Sequence, residues 1–220
     1  MKYPIKRSAC KYTPFYCEEN IWHLCGNPAF RKKEKVVIII SNYLKKVLFL
    51  KQRAGDREGN VLWDYHVVMM AKDDEWMMWD LDTWLPFPCP VTKYIEQTFP
   101  VESTVFAKSK EWGGKLGGEN PGAGNLGGVY RADVAKSYTP LFKLVSCEVY
   151  RKRFSSNRKH MKDKQGRFIA PPPPWRMINP GRGDTFSQFI NMHDTSFGQV
   201  IDAKWFLSVY GDGVEPKGEQ

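Results

Sequence analysis

The chain has 220 residues, 42% hydrophobic and 14% aromatic, which excludes a disordered protein and is enough for one well-cored domain. Its formal charge of +9 sits in small groups such as Arg31-Lys32-Lys33, Lys45-Lys46 and Arg151-Lys152-Arg153. None is interleaved with aromatic residues, so a solvated basic face is expected and no nucleic-acid partner. The longest apolar run, Val36 to Ile40, is a strand's length and far below what a bilayer crossing needs, so no membrane association is expected. No apolar segment of the signal-peptide kind follows Met1 to Arg7. Five cysteines, an odd number without CxxC spacing, fit a reducing compartment better than a disulfide framework. Together these features point to the cytoplasm or the nucleus.

In chain order, the first element is a short helix that begins at Cys17, with apolar residues at Ile21, Leu24 and Cys25. A thiol at a helix N-terminus sees the positive end of the dipole and unpaired backbone N–H groups, both of which favour thiolate. Glu18 and Glu19 oppose this, since neighbouring negative charge disfavours a second anion. Alone, Cys17 would be read as a small buried hydrophobe; as a nucleophile it needs a basic partner. His23 and Cys25 lie close by in sequence, but no paired CxxC or HxxxH spacing supports a metal site, and none is expected.

Residues 36–41 and 45–52 read as two strands, and 61–71 and 76–85 as two more, with Lys72-Asp73-Asp74-Glu75 as the turn between the last two. Together they predict a four-stranded antiparallel sheet. A turn centred near Asp73 would set His66 directly opposite Asp80, with Asp82 one diagonal step away, near enough for a carboxylate to accept the imidazole N–H. A one-residue change of register would put His66 on the other face relative to Asp80.

Leu85 to Pro90, with three prolines, ends the sheet, and a helix is expected over 91–99. The glycine-rich segment 108–128 reads as a surface insertion. It contains a GxGxxG match at Gly122 to Gly127, but Glu119-Asn120-Pro121 precedes it where a dinucleotide site needs a strand, so no cofactor is expected. Residues 141–150 read as another strand, followed by a basic connection to His160. His160 is a possible second catalytic histidine, though beside Arg158 and Lys159 a loop role is the default. Pro171 to Pro174 imposes a polyproline II stretch packed across the surface. Asp202 is placed to cap a last helix, 203–210, which Gly211 would end.

Cys17, His66 and Asp80, in that order, make the Cys–His–acid arrangement of thiol hydrolases and acyl-transfer enzymes. Residue types and order go no further than this, and leave the substrate open. A cysteine protease, a transglutaminase and a binding protein that has lost turnover all remain compatible with it.

The chain resembles the protein N-terminal glutamine amidohydrolases, enzymes of the N-degron pathway. The resemblance rests on Tyr16 to Trp22, Trp63 to Val68, Asp80-Leu81-Asp82-Thr83, Leu85 to Cys89, the segment Arg158 to Asp163, and Pro171 to Pro174, in the family's order over nearly the whole chain. The glycine-rich 108–128 segment and Trp79 depart from the family pattern, and neither touches the proposed triad. The resemblance implies an α+β fold, an antiparallel sheet with flanking helices, similar to transglutaminases and papain-like hydrolases. It also implies Cys17, His66 and Asp80 as catalytic residues, no cofactor, and protein or peptide substrates with an N-terminal Gln converted to Glu with release of ammonia. The α-ammonium of such a substrate requires an acidic partner, for which Glu18, Asp64 and Asp82 are the candidates. A single domain over residues 1–220 and a monomer complete the expectation.

Overall fold

The computed structural model describes residues 5–99 and 138–211; the predicted insertion at 108–128 lies outside the described residues. Its strands are β1 (Lys35–Ser41), β2 (Val47–Phe49), β3 (Val61–Trp63), β4 (Tyr65–Lys72), β5 (Trp76–Trp79), β6 (Cys89–Pro90), β7 (Leu141–Ser146) and β8 (Gln199–Asp202). Its α-helices are α1 (Cys17–Cys25), α2 (Val91–Thr98), α3 (Cys147–Arg153), α4 (Phe186–Ile190) and α5 (Ala203–Tyr210). The fold is α+β. A six-stranded sheet runs in the order β6-β5-β4-β1-β7-β8, with antiparallel pairings.

The run Val36 to Ile40 is apolar without alternation because β1 is central and covered on both faces. Val37 and Ile39 face a core built with Ile21 and Leu24 of α1, Tyr150 of α3 and Phe189 of α4. Ile38 and Ile40 face a second core built with Tyr94 and Ile95 of α2 and Phe206 of α5. The same alternation continues in β4, where Val67 and Met69 belong to the first core and Val68 and Met70 to the second. No helix of the described residues is long and apolar enough to cross a membrane.

The four-stranded sheet predicted from two consecutive hairpins is not what forms. Residues 45–52 contribute only the short β2, which pairs with β3 in a separate two-stranded sheet. Both edges of β1 are taken, one by β4 and the other by β7, so β2 has no place beside it. The side chain of Asn42 holds the intervening turn, accepting from the Leu44 and Lys46 N–H groups. The predicted strand 61–71 is likewise divided at Asp64 into β3 and β4.

The strand expected over 141–150 stops at Ser146, whose side chain accepts the Val149 N–H at 3.1 Å and caps α3. The signal was present in the sequence: a Ser cap, Glu148 in the first turn and Arg151-Lys152-Arg153 in the last, which complement the helix dipole. Helix α2 forms where expected. So does α5, where the Asp202 carboxylate accepts the Trp205 N–H at 2.7 Å. Gly211 ends α5 in an extended conformation, φ −78°, and not in the left-handed one expected of a C-terminal glycine. It is needed for a different reason: a Cβ there would lie 2.5 Å from the Leu207 carbonyl oxygen. Asp202→Ala removes one capping bond and is expected to cost about 1 kcal/mol, read as a lowered urea midpoint with unchanged slope.

Candidate active site

Cys17 is the first residue of α1 and is 9% exposed. The preceding Tyr16 makes no side-chain cap, so the first-turn N–H groups are not claimed by a capping oxygen. The β4–β5 ladder stops at the pair Met69–Trp79, and beyond it Val67 packs in the same core as Cys17, its backbone acting to lower the thiol. The thiol is therefore seated against β4 at the residue next to His66.

His66 is buried, its ring packed between Trp63 (4.8 Å between centroids) and Phe49 (5.5 Å). Its Nε2 lies 2.9 Å from Asp80 Oδ1. The contact predicted from the sequence forms, but by a different register. The β4–β5 pairing is centred on Asp74 and not Asp73, so Asp80 approaches His66 diagonally from just past the end of β5. A shift of two in the paired positions preserves the side-chain face, which is why the contact survives. Asp80 Oδ1 also accepts the Asp82 N–H at 2.9 Å, and Oδ2 accepts the Tyr94 hydroxyl at 2.8 Å. Tyr94 comes from α2 on the second core, and no sequence spacing links it to Asp80.

The electrostatics follow from burial and these partners. Burial pushes His66 down, but Asp80, by charge and hydrogen bond, together with Asp82 and Glu18, leaves it raised above its ordinary value. Asp80 is pushed up by burial and brought below the usual carboxylate range by His66, the Asp82 N–H and Tyr94. Asp82, 5% exposed, accepts the Tyr12 hydroxyl at 2.6 Å and is raised by burial. Cys17 is raised well above a free thiol by burial first and then by the charges of Glu18 and Asp82, against the lowering effect of the Val67 backbone.

Glu18 is 1% exposed. Its Oε2 accepts the Tyr65 hydroxyl at 3.1 Å and lies 3.7 Å from the Cys17 sulfur. His160 reaches it from a short 3-10 turn, Lys159–Met161. Asp64 is exposed at the break between β3 and β4, where it accepts its neighbour's N–H, and is not drawn into this buried group.

A model of the family described as N-terminal glutamine amidase matches residues 12–112 and 129–210. The chain belongs to the N-terminal glutamine amidase family. It is similar to proteins named "Protein N-terminal glutamine amidohydrolase". The Bos taurus relative is 34% identical over 209 residues, 91% of this chain and 87% of the relative. That of Homo sapiens is 33% identical over 213 residues, 93% and 90% of the two chains. That of Arabidopsis thaliana is 32% identical over 188 residues, 80% and 72%.

The structure gathers a buried thiol, Cys17, a buried imidazole, His66, and the buried carboxylates Glu18, Asp80 and Asp82 in this region. His66, Asp80 and Asp82 also present possible metal-ligand atoms within 4.8 Å of one another. Both Asp80 oxygens and one of Asp82 already accept hydrogen bonds there, so a cation would have to displace them. On α1, His23 packs edge-on against Trp175 (4.8 Å) and Cys25 faces Cys147.

Sequence reasoning missed the support beneath α1. Glu19 is fully buried and held by Arg158 through two hydrogen bonds of 2.8 Å and by the Trp175 indole N–H at 2.7 Å. Arg158 also donates to the carbonyls of Pro173 and Trp175, which fastens the proline-rich stretch to the same point. Side chains from 139 and 156 positions downstream leave no local pattern by which to find them.

Proposed function

We propose that the chain hydrolyses the side-chain amide of an amino-terminal glutamine to glutamate, releasing ammonia, with Cys17 as nucleophile, His66 as acid–base and Asp80 as orienter. The observation that carries this reading is the buried His66–Asp80 pair, 2.9 Å apart, with His66 next in the chain to Val67, which packs in one core with Cys17. Asp80 occupies Nε2, which leaves Nδ1 to exchange a proton with the thiol. The thiolate attacks the amide carbon, and the tetrahedral oxyanion is met by the uncapped N–H groups at the start of α1. His66 delivers its proton to the departing ammonia. Water, activated by His66, then hydrolyses the thioester.

The arrangement of a nucleophile at a helix start against a sheet that presents base and acid is that of transglutaminases and papain-like hydrolases, and we assign the fold to that group. Two cores on the two faces of one sheet favour a single domain. Five unpaired cysteines fit a monomer in the cytoplasm or nucleus that acts on exposed protein N-termini. Glu18 and Asp82, both buried, and Asp64, exposed at the break between β3 and β4, are the candidate partners of the substrate's α-ammonium.

The test is mass spectrometry of a Gln-initiated peptide incubated with the protein, beside a peptide with the same Gln placed internally. A gain of about 1 Da on the first peptide alone, absent with Cys17→Ala, is the expected result. Cleavage of either peptide would point to a protease, and no reaction from folded protein to a binding role.

A further inference from the structure

The Glu18 carboxylate has one oxygen in use and one unspent. Oε2 accepts from the Tyr65 hydroxyl and from the Cys17 thiol, whereas Oε1 is buried and has no aligned hydrogen bond. His160 Nε2 stands 3.3 Å from Oε1, also without an aligned bond. The His160 ring lies flat on Phe186, centroids 4.0 Å apart, and at 19% side-chain exposure it is the more open member of the pair. The other groups around Glu18 are Cys17 and Glu19 on its own helix, Tyr150, which donates to its backbone carbonyl, and Arg158, which is bound to Glu19.

We propose that Glu18 Oε1 receives the substrate's α-ammonium on the His160 side, and that neutralising Glu18 in this way is what releases the Cys17 proton to His66. The first half rests on the proposed amidohydrolase reading and deepens it; the second adds a trigger. Geometry supports the first half. In an N-terminal Gln the α-nitrogen and the side-chain amide carbon are four bonds apart, about 5 Å at full extension. Glu18 Oε2 is 3.7 Å from the sulfur. An ammonium bonded to this carboxylate therefore brings the amide carbon within reach of Cys17 and does so for a terminal residue only.

Charge supports the second half. An unneutralised carboxylate at that distance opposes a thiolate, and burial adds to the opposition. A Gln inside a chain brings no cation to Glu18, so the thiol stays protonated even where the side chain enters. N-terminal selectivity is then exerted on turnover as well as on binding, because the correct substrate carries the charge that makes the nucleophile.

The probe is glycinamide, which has the α-ammonium but no side chain to cover Cys17. Its effect on iodoacetamide labelling of Cys17 in the intact protein at pH 7 is compared with that of N-acetylglycinamide. Glycinamide is expected to speed labelling by about tenfold and the acetylated form to leave it unchanged. Glu18→Gln is expected to label faster without either additive and not to respond. On a Gln-initiated peptide and its N-acetyl form, the variant is expected to lose most of its discrimination. No acceleration by glycinamide in the wild-type protein, which needs no variant to fold, would overturn the trigger. Full discrimination by folded Glu18→Gln would overturn the binding role. A wild-type protein that fails to deamidate the free peptide at all would instead strike the underlying amidohydrolase reading.

Discussion

Asp80→Asn is expected to lower kcat by about a thousandfold while the protein remains folded. The acceptor pattern dictates how the new amide sits. Oδ1 of Asp80 receives both the His66 ring and the Asp82 N–H, so the amide oxygen must take that position, since an NH2 there would face two donors. The NH2 then meets the Tyr94 hydroxyl, which can turn to accept. His66 keeps its orientation and tautomer but loses the charge that stabilises its imidazolium form. With that charge gone, burial dominates and the ring's proton affinity falls. Steady-state kinetics should show the loss in kcat with little change in KM.

Stability should respond to the same change in a defined pH window. His66 is raised in the folded state, so its contribution is full below the ordinary value of 6.5 and is lost as pH rises through the raised value. Asp80 is lowered, so its contribution is present above 3.8 and is lost as pH falls through the lowered value. The deficit of Asp80→Asn relative to wild type is therefore expected to be largest between 3.8 and 6.5 and to shrink at alkaline pH. A deficit that grew toward alkaline pH would contradict the charged pair.

Arg158→Leu carries the largest expected effect on stability, a loss of about 3–5 kcal/mol. It strands the fully buried Glu19 carboxylate with the Trp175 indole N–H as its remaining side-chain donor. Arg158 itself sits in the left-handed region, φ 57°, a strained conformation that the substituted leucine would also have to adopt. For a chain of this size the loss corresponds to roughly a 10 °C fall in Tm. Adding Glu19→Met should recover most of it, because the stranded charge, and not the absent pair, is the main cost. A double variant no better than the single one would refute this account. His160 lies two residues beyond Arg158, so the single variant should also lose activity before it unfolds.

Much of the site was legible because its signals are local. The start of α1 at Cys17 follows from an apolar spacing of three and four residues. The cap at Asp202 and the helix at 91–98 are read within one or two turns of chain. Asp80 was paired with His66 because a tight turn confines the choice to a few registers. The actual register differs by two, yet keeps the face.

The sequence by itself singled out a thiol at a helix start and an imidazole on a strand as the candidates for the chemistry, since caps, turns and alternation act over a few residues; Asp80, expected within a strand over 76–85, lies just past the end of β5 at Trp79. Tertiary structure decided where those elements went. Strand β2 could not join β1 because β4 and the distant β7 compete for the same two edges, and pairing across a hundred residues leaves no mark in either segment. The fates of Glu18 and Glu19 were decided in the same way. Neighbours on one helix, they are buried in different surroundings, Glu19 against Arg158 and Trp175 and Glu18 beside the thiol with one oxygen unspent. A carboxylate's role is set by the donors folded against it, and those arrive from other elements of the chain: Tyr65 for Glu18, Arg158 and Trp175 for Glu19.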